Sequence, residues 1–397
     1  MTSPLGTSPP GPGQSASRRR RILLLTTYSQ ALSSFVAPLA RYLEEQGYDV
    51  VLGASDEPLI GPSTLPDLRA GGFQTVSIPF SNRLLPHHDL RSAWHLWRVL
   101  RATPFDIVHT FTAKAGFIGR LVARAARVPV VVHTAFSFPH LDTPSTAWLY
   151  RPLELIATSA SDHIFCISRL GYQQALGLGR APRHGISNPG LGLDVGRFAS
   201  LVPRAAARRD LGLPADVALV GTAARLVPHK RIDLFLAVCA EVAAARPDVR
   251  FLILGDGPER SRLDQLVLRH RLSDRLQFLS YLPDSADVVK FFRALDVFVL
   301  PTEREGFGMV FAEAMATETP VVGPDISPVN DIILDHDTGL LVAPGDRGAY
   351  VDAVTWLLDH DEARARFGAS GRARVQNCFD ERMAFAKIAG TYRVLAP

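Results

Sequence analysis

The chain has 397 residues, 47% of them hydrophobic and 21% charged, with a formal net charge of +4. That length suits two domains with full cores, and the composition excludes a disordered or fibrous chain. A net charge of +4 leaves room for an anionic ligand or a membrane surface but excludes the basic stripe of a nucleic-acid binder.

Residues 1–17 are rich in Ser, Pro, Gly and Thr and are expected to be disordered, with a basic lead-in that extends this segment to residue 20. Arg18 to Arg21 then precede nineteen uncharged residues, Ile22 to Ala40, which superficially resembles an export signal. The apolar run Ile22–Leu25 is only four residues long, however, and Thr26, Thr27, Ser29, Gln30, Ser33, Ser34 and Pro38 interrupt the rest. A strand, a polar loop and an amphipathic helix with Phe35, Leu39 and Leu43 on one face, ended by Gly47, account for every residue. No segment approaches eighteen consecutive apolar residues, so no transmembrane helix is expected.

Strands are expected at Ile22–Thr26, Asp49–Gly53, Thr75–Ile78, Ile107–His109, Val130–Val132 and His163–Ile167. Helical patterns fall between them near 33–46, 91–102, 116–126 and 145–159. A second alternation runs through Val217–Ala223, Val249–Leu254, Leu276–Leu279, Asp296–Leu300, Pro320–Val322 and Leu340–Val342. Alternation of this kind predicts an α/β chain with parallel sheets covered on both faces. Turn chemistry at Ser187–Asp194, the basic run Arg204–Arg209 and Leu213-Pro214 marks the connection between halves. The expected division is a first domain over 21–200 and a second over 201–379. A final helical segment, 380–397, would pack back on the first domain. Open α/β sheets bind ligands beyond the carboxyl ends of their strands, so a cleft between the domains is the expected site.

Gly190-x-Gly192-x-x-x-Gly196 approaches a dinucleotide fingerprint, but its spacing is one residue too long and it stands in the linker. Asp335-His336-Asp337 and Asp359-His360-Asp361 match a bare Asp-x-Asp. Both occur at element ends and read as solvated turns, so no metal site is expected. Cys166, Cys239 and Cys378 are far apart and suit packing roles in a reducing compartment. Only four residues are lysine, against 39 arginines, so each lysine marks a place where arginine was not used.

The strongest signal is Glu305-Gly306-Phe307-Gly308-Met309-Val310-Phe311-Ala312-Glu313. It lies between a buried strand and a short helix, so the amides of Gly306 to Val310 point at whatever sits in front. One carboxylate lies at the mouth of the turn and the other about a turn inside the helix. Phosphate donors and hydroxyl acceptors are thereby placed together, as a nucleotide-sugar would require. Arg225, at the end of a strand, offers a fork suited to a diphosphate, and Lys230 stands just before the helix Ile232–Ala245. A cation there opposes the helix dipole by about 0.3–1 kcal/mol unless an anion sits between them. Lys114, at another helix start, invites the same reading for an anionic group on the acceptor or donor. His133 ends a strand where it can donate to a sugar hydroxyl or stabilise developing charge, and His109 is its neighbour by topology.

These residues carry a resemblance. The segment from Glu305 to Ala316, continued by Thr319-Pro320-Val321-Val322, resembles the signature of retaining glycosyltransferases of family 4, which have the GT-B fold: two Rossmann-like domains with parallel sheets facing a central cleft. Ala224-Arg225-Leu226-Val227-x-x-Lys230, Leu254-Gly255-Asp256-Gly257-Pro258 and Thr338–Val342 are further matches, and the likeness covers roughly 20–395. Residues 106–116 resemble the subgroup that builds surface polysaccharides and related glycans. The resemblance implies donor binding by the second domain and acceptor binding by the first. Arg225 and Lys230 would neutralise the donor diphosphate, and Gly306, Phe307, Gly308, Met309 and Val310 would offer amides to phosphate and sugar. Glu305 would hold sugar hydroxyls and Glu313 the ribose, while His133 would lie close to the transferred sugar. His133, Lys230 and Glu305 are then the expected catalytic set, with His109 and Lys114 on the acceptor side. Many members carry paired glycines after the first strand; here Tyr28-Ser29-Gln30-Ala31-Leu32-Ser33-Ser34 stands instead.

The reaction so implied moves a hexosyl group from a UDP- or GDP-sugar to a hydroxyl of a glycan, lipid-linked or natural-product acceptor. The anomeric configuration is retained and no cofactor is needed beyond the nucleotide-sugar. A nucleotide-sugar epimerase, a phosphorylase and a non-catalytic sugar-nucleotide binder of the same fold are the rival readings. The expected location is the cytoplasm, with peripheral contact at the inner membrane face considered for Arg18–Arg21 and Trp94/Trp97. The other reading of Arg18–Arg21 is a solvated lead-in to the first strand.

Overall fold

A computed structural model describes residues 18–57, 62–81, 86–136, 138, 144–280, 282 and 285–397. The expectation of disorder for residues 1–17 lies outside them. Seven parallel strands form the first sheet: β1 (Arg21–Tyr28), β2 (Asp49–Ser55), β3 (Gln74–Ser77), β4 (Ile107–Thr110), β5 (Val130–Ala135), β6 (His163–Cys166) and β7 (Ile186–Ser187), in the order β3-β2-β1-β4-β5-β6-β7. Six more form the second: β8 (Ala218–Ala223), β9 (Val249–Leu254), β10 (Leu276–Leu279), β11 (Val297–Val299), β12 (Val321–Pro324) and β13 (Gly339–Val342), in the order β10-β9-β8-β11-β12-β13. Each sheet reverses its winding once, between β1 and β4 and between β8 and β11. A crevice opens beyond the carboxyl ends of the strands at such a switch point.

Both faces of the first sheet are buried, which is why its strands are apolar throughout. Ile22, Leu24, Val50, Leu52, Ile107, Val130 and Val132 fill one face, and Leu23, Leu25, Val51, Val108 and Val131 fill the other. Side chains alternate with a period of two, so the register of neighbouring strands decides which residues meet. Burial of each such Leu, Ile or Val contributes about 1.5–3 kcal/mol, enough to hold that register against a one-residue slip.

The basic run Arg204–Arg209, expected as turn chemistry, is a helix, Arg204–Asp210. Arg208 is buried and donates to the carbonyls of Ala294, Ala215 and Val217 and to Asp296 Oδ2 at 2.7 Å. Its charge is therefore structural. The strand β7 has only two residues, too few to show a period. At the other end of the first sheet, Asp106 Oδ2 lies 3.8 Å from Arg18 and accepts from the Arg21 amide at 2.7 Å. Arg21 Nε also lies 3.0 Å from Asp49.

Two connections cross between the domains. The amide of Leu193 donates to the Phe379 carbonyl, and the Glu381 amide returns to the Leu193 carbonyl. A Cβ on Gly192 would lie 2.3 Å from the Glu381 nitrogen, so only glycine fits at this crossing. Helix Glu381–Leu395 then packs on the first domain, where Phe385, Ile388, Ala389 and Tyr392 join the face formed by Ile22 and Val50. Beyond the ends of β5 and β6, Phe136 and Ile167 join the hydrophobic cluster of the second domain.

Candidate functional site

The switch point of the second sheet is built by the loops after β8 and β11. Two backbone contacts stitch them together: the Glu303 amide donates to the His229 carbonyl at 2.9 Å, and Thr302 Oγ1 donates to the same oxygen at 3.1 Å. Arg231, in a left-handed conformation with φ 52°, ends the 3-10 turn Pro228–Lys230 and pairs with Glu303 at 2.7 Å. That turn carries Lys230 toward Glu305, and Nζ stands 2.5 Å from Oε1. The dipole of helix Ile232–Ala245 favours an anion between its start and Lys230. In the unliganded chain a carboxylate of the protein supplies it. An ammonium has three donors, so two remain for another anion.

Arg225 is exposed one residue past Ala224, and among the described residues its guanidinium has no ion-pair partner. Its loop rests on the loop after β9. A Cβ on Gly255 would come 2.0 Å from the Ala224 carbonyl oxygen, and one on Gly257 2.5 Å from that of Leu226. The Leu254-Gly255-Asp256-Gly257-Pro258 match is thus a backing for Arg225, made of glycine because two backbones touch.

Gly308, at φ 95°, begins helix Met309–Ala316. The amides of Gly306, Phe307, Gly308, Met309 and Val310 have no acceptor among the described residues. Unpaired donors at a helix start form an anion cradle. The Phe307 side chain is buried against Phe379, ring centroids 5.9 Å apart, so only its backbone is offered. Glu313 has no hydrogen-bond donor among the described residues. Burial pushes its carboxyl up to about 7, against the pull of the Arg197 guanidinium.

In the first domain the register settles the two histidines. Thr110 lies opposite His133 and His109 opposite Val132, so the histidines point to opposite faces of the sheet. His109 is fully buried, with Nδ1 2.5 Å from the Tyr392 hydroxyl and Nε2 2.7 Å from Thr134 Oγ1. Burial, then the neighbouring His163, lowers it to about 3. Both nitrogens are occupied by the fold, and the acceptor contact expected of His109 is corrected to a structural link holding the last helix.

His133 faces a small cavity also lined by Thr112, Arg120, Phe138 and Glu154. Its Nδ1 lies 2.9 Å from the Thr110 hydroxyl and 3.0 Å from the Thr110 carbonyl oxygen. Burial first, then the Arg120 guanidinium and His109, hold the ring well below the ordinary histidine range. It is therefore neutral, and Nε2 is left to exchange a hydrogen bond with a hydroxyl in the cavity.

Lys114 lies in the first turn of helix Ala113–Ala125 and pairs with Asp89 at 2.7 Å, so its charge is already matched. It borders a cavity of about 350 Å³ with Thr27, Tyr28, Ser81, Thr112 and Phe136. Where glycines were missing after β1, the strand passes directly into helix Ser29–Ala31 and a π-turn, Leu32–Val36. Thr112 adopts φ 58° and ψ 155°, a conformation that costs a β-branched residue about 1–3 kcal/mol. Hydrogen bonds from the Thr27 amide at 3.0 Å and with the Thr27 hydroxyl at 2.9 Å hold it there.

Sequence reasoning missed Arg120, Glu154 and Gly116. Arg120 is 1% exposed, pairs with Glu154 at 2.8 Å and donates to the Gly116 carbonyl. A Cβ on Gly116 would lie 2.6 Å from His133 Cε1, so this glycine makes room for the ring. A glycine and an arginine four apart on the apolar helix beside His133 were the available signal. Arg197 was missed because it sits in the linker.

Comparison with known proteins agrees with this geometry. The family described as glycosyl transferases group 1 matches residues 203–374, and the glycosyl transferase 4-like domain matches residues 31–189. A UDP-Gal:alpha-D-GlcNAc-diphosphoundecaprenol alpha-1,3-galactosyltransferase of Escherichia coli is 28% identical over 299 residues, covering 74% of this chain and 76% of that one. A D-inositol 3-phosphate glycosyltransferase of Streptomyces avermitilis is 30% identical over 321 residues, covering 75% and 67%. The Anabaena protein HepE, solved with UDP and glucose, superposes with a TM-score of 0.79 at 18% identity, covering 95% of this chain and 100% of that one. Two Rossmann-like sheets, the loops at their switch points and these matches place the chain among the GT-B glycosyltransferases, in family 4.

Proposed function

We propose that the chain is a retaining glycosyltransferase that moves a hexosyl group from a UDP- or GDP-sugar to a hydroxyl of a glycan, lipid-linked or small-molecule acceptor. The observation that carries the donor half is the Lys230–Glu305 pair facing a run of unpaired amides from Gly306 to Val310. The diphosphate would draw on Lys230, Arg225 and those amides. Because Lys230 and the amides are fixed before the reaction, they stabilise the departing charge at no cost in reorganisation. Glu305 would hold sugar hydroxyls, and Glu313, a half-buried carboxylate lacking donors, would take those of the ribose. In this reading no metal is assigned and the leaving oxygen helps deprotonate the acceptor on the same face of the sugar. No protein nucleophile is then needed.

His133 would exchange a hydrogen bond with a hydroxyl at the junction of the two halves. The cavity bordered by Lys114, Tyr28 and Phe136 would seat the acceptor. Names among the relatives, such as a transferase acting on a diphosphoundecaprenol-linked sugar and one of capsular polysaccharide biosynthesis, support a glycan acceptor of surface-polysaccharide type. Thermal shift of the full chain with UDP, GDP, ADP and TDP tests the donor site. A nucleotide at about 100 times its Kd adds roughly 2.7 kcal/mol of stability, and no shift with any of the four would overturn the assignment. Epimerase activity would show as donor consumption without acceptor, and phosphorylase activity as a response to inorganic phosphate. The proton spectrum of the product's anomeric centre tests retention.

A further inference from the structure

Helix Pro86–Ala102 buries one side and leaves the other unusual. Ser92, Leu96 and Leu100 face the core, 0%, 0% and 5% exposed. On the outer side Leu90 is 71% and Trp94 60% exposed, and the Trp94 ring stacks on Trp97 at 5.2 Å. Around them stand Arg91, Arg98 and Arg101, exposed and without an ion pair among the described residues. The helix has one carboxylate, Asp89, and it is turned away onto Lys114. An apolar strip with two indoles beside unpaired arginines, on a helix with no other carboxylate, is the pattern of a helix lying in a bilayer interface.

We infer that this face seats the chain on an anionic lipid surface. The occupant follows from charge. Three unpaired guanidiniums beside exposed Leu and Trp complement lipid phosphates, with the indoles at the headgroup level. A second copy is disfavoured because a two-fold interface would set the same arginines against each other. Arg18 and Arg21 take no part, being paired to Asp106 and Asp49 at the amino-terminal end of the strands.

The helix starts at the rim of the acceptor cavity, since Asp89 reaches Lys114, which borders it. A bilayer against this face would therefore lie next to the mouth of that cavity, where a lipid-linked acceptor presents its glycan. This last step rests on the acceptor reading above; the lipid contact itself does not.

Sedimentation of the full chain with phosphatidylcholine vesicles, with and without phosphatidylglycerol, is the test. Binding to the anionic vesicles, its loss at high salt and a blue shift of tryptophan emission are expected. Replacing Arg91→Gln together with Arg98→Gln should weaken binding roughly 30-fold. Trp94→Ser should reduce the blue shift, while melting temperature and nucleotide binding stay at wild-type values. No binding to anionic vesicles, or variants that bind like the parent, would overturn the inference. So would a concentration-dependent dimer abolished by Trp94→Ser, which would assign the face to a second copy. Vesicle binding without glycosyl transfer would leave the lipid contact standing and remove only the acceptor reading.

Discussion

Lys230 and Glu305 meet at 2.5 Å across the two loops of the second switch point, with both side chains more than four-fifths buried. The pair links the two segments proposed to bind the donor, so each charge sets the position of the other. Removing the cation should cost transition-state stabilisation on the scale of a lost preorganised donor. Lys230→Ala is expected to lower turnover roughly 10²–10³-fold. Because Glu305 is then left uncompensated, the melting temperature should fall as well, and Lys230→Ala with Glu305→Gln should recover stability without recovering turnover. Steady-state kinetics beside thermal melts check this; near wild-type turnover in Lys230→Ala would remove the assigned role.

Glu313 offers a titration of the proposed donor site. Its folded value of about 7 lies above the ordinary carboxylate range because it is buried without donors. Between those values the folded state holds a proton that the unfolded state has lost. Its contribution to stability therefore falls as pH rises from the ordinary value through about 7. Ribose hydroxyls donating to this carboxylate would favour its charged form. Nucleotide binding just below pH 7 should release a proton, and affinity should rise with pH. Calorimetry in buffers of different ionisation enthalpy measures the release. Glu313→Gln should abolish it; an unchanged release in that variant would place the titration elsewhere.

Gly116 sets the His133 ring against the cavity. A methyl at position 116 would meet the ring at 2.6 Å and push it out of line. A displacement on the order of 1 Å can cost about 10²-fold in rate. Gly116→Ala is thus expected to lower turnover by roughly that factor, while the Kd for the nucleotide, held by the other domain, stays within about twofold. Loss of nucleotide binding would mean that the change acts through misfolding instead.

Much of this was legible in the sequence because parallel sheets buried on both faces leave runs such as Ile22–Leu25 that admit few other readings. The turn around Gly306 was legible for a local reason: Gly306 and Gly308 punctuate a strand-to-helix turn, and its amides follow from that geometry alone. What escaped was set by long-range register. Whether His109 or His133 faces the site depends on pairing between β4 and β5, which no local pattern specifies. The Lys114–Asp89 and Lys230–Glu305 pairs join residues 25 and 75 positions apart, so the sequence showed the charges and not their partners. Arg208 read as linker chemistry for the same reason, its acceptors lying in the second domain's core.

The buried histidines of the first domain predict how it responds to acid. His109, His133 and His163 are all held below the ordinary value, each first by burial. In the unfolded chain they bind protons near pH 6.5; in the folded chain each takes up its proton only at lower pH. The unfolded state therefore gains protons as pH falls, and stability is lost below about 6.5 by up to about 1.4 kcal/mol per pH unit for each histidine. For His109 the loss runs down to about 3, where the folded ring itself protonates. Urea midpoints at pH 7 and pH 5 should differ clearly in the wild type. In His109→Gln the starting stability should be lower, because the Tyr392 and Thr134 hydroxyls lose their shared partner, yet the drop between the two pH values should be smaller. An equal drop in both proteins would show that the His109 ring does not carry its share of the acid response.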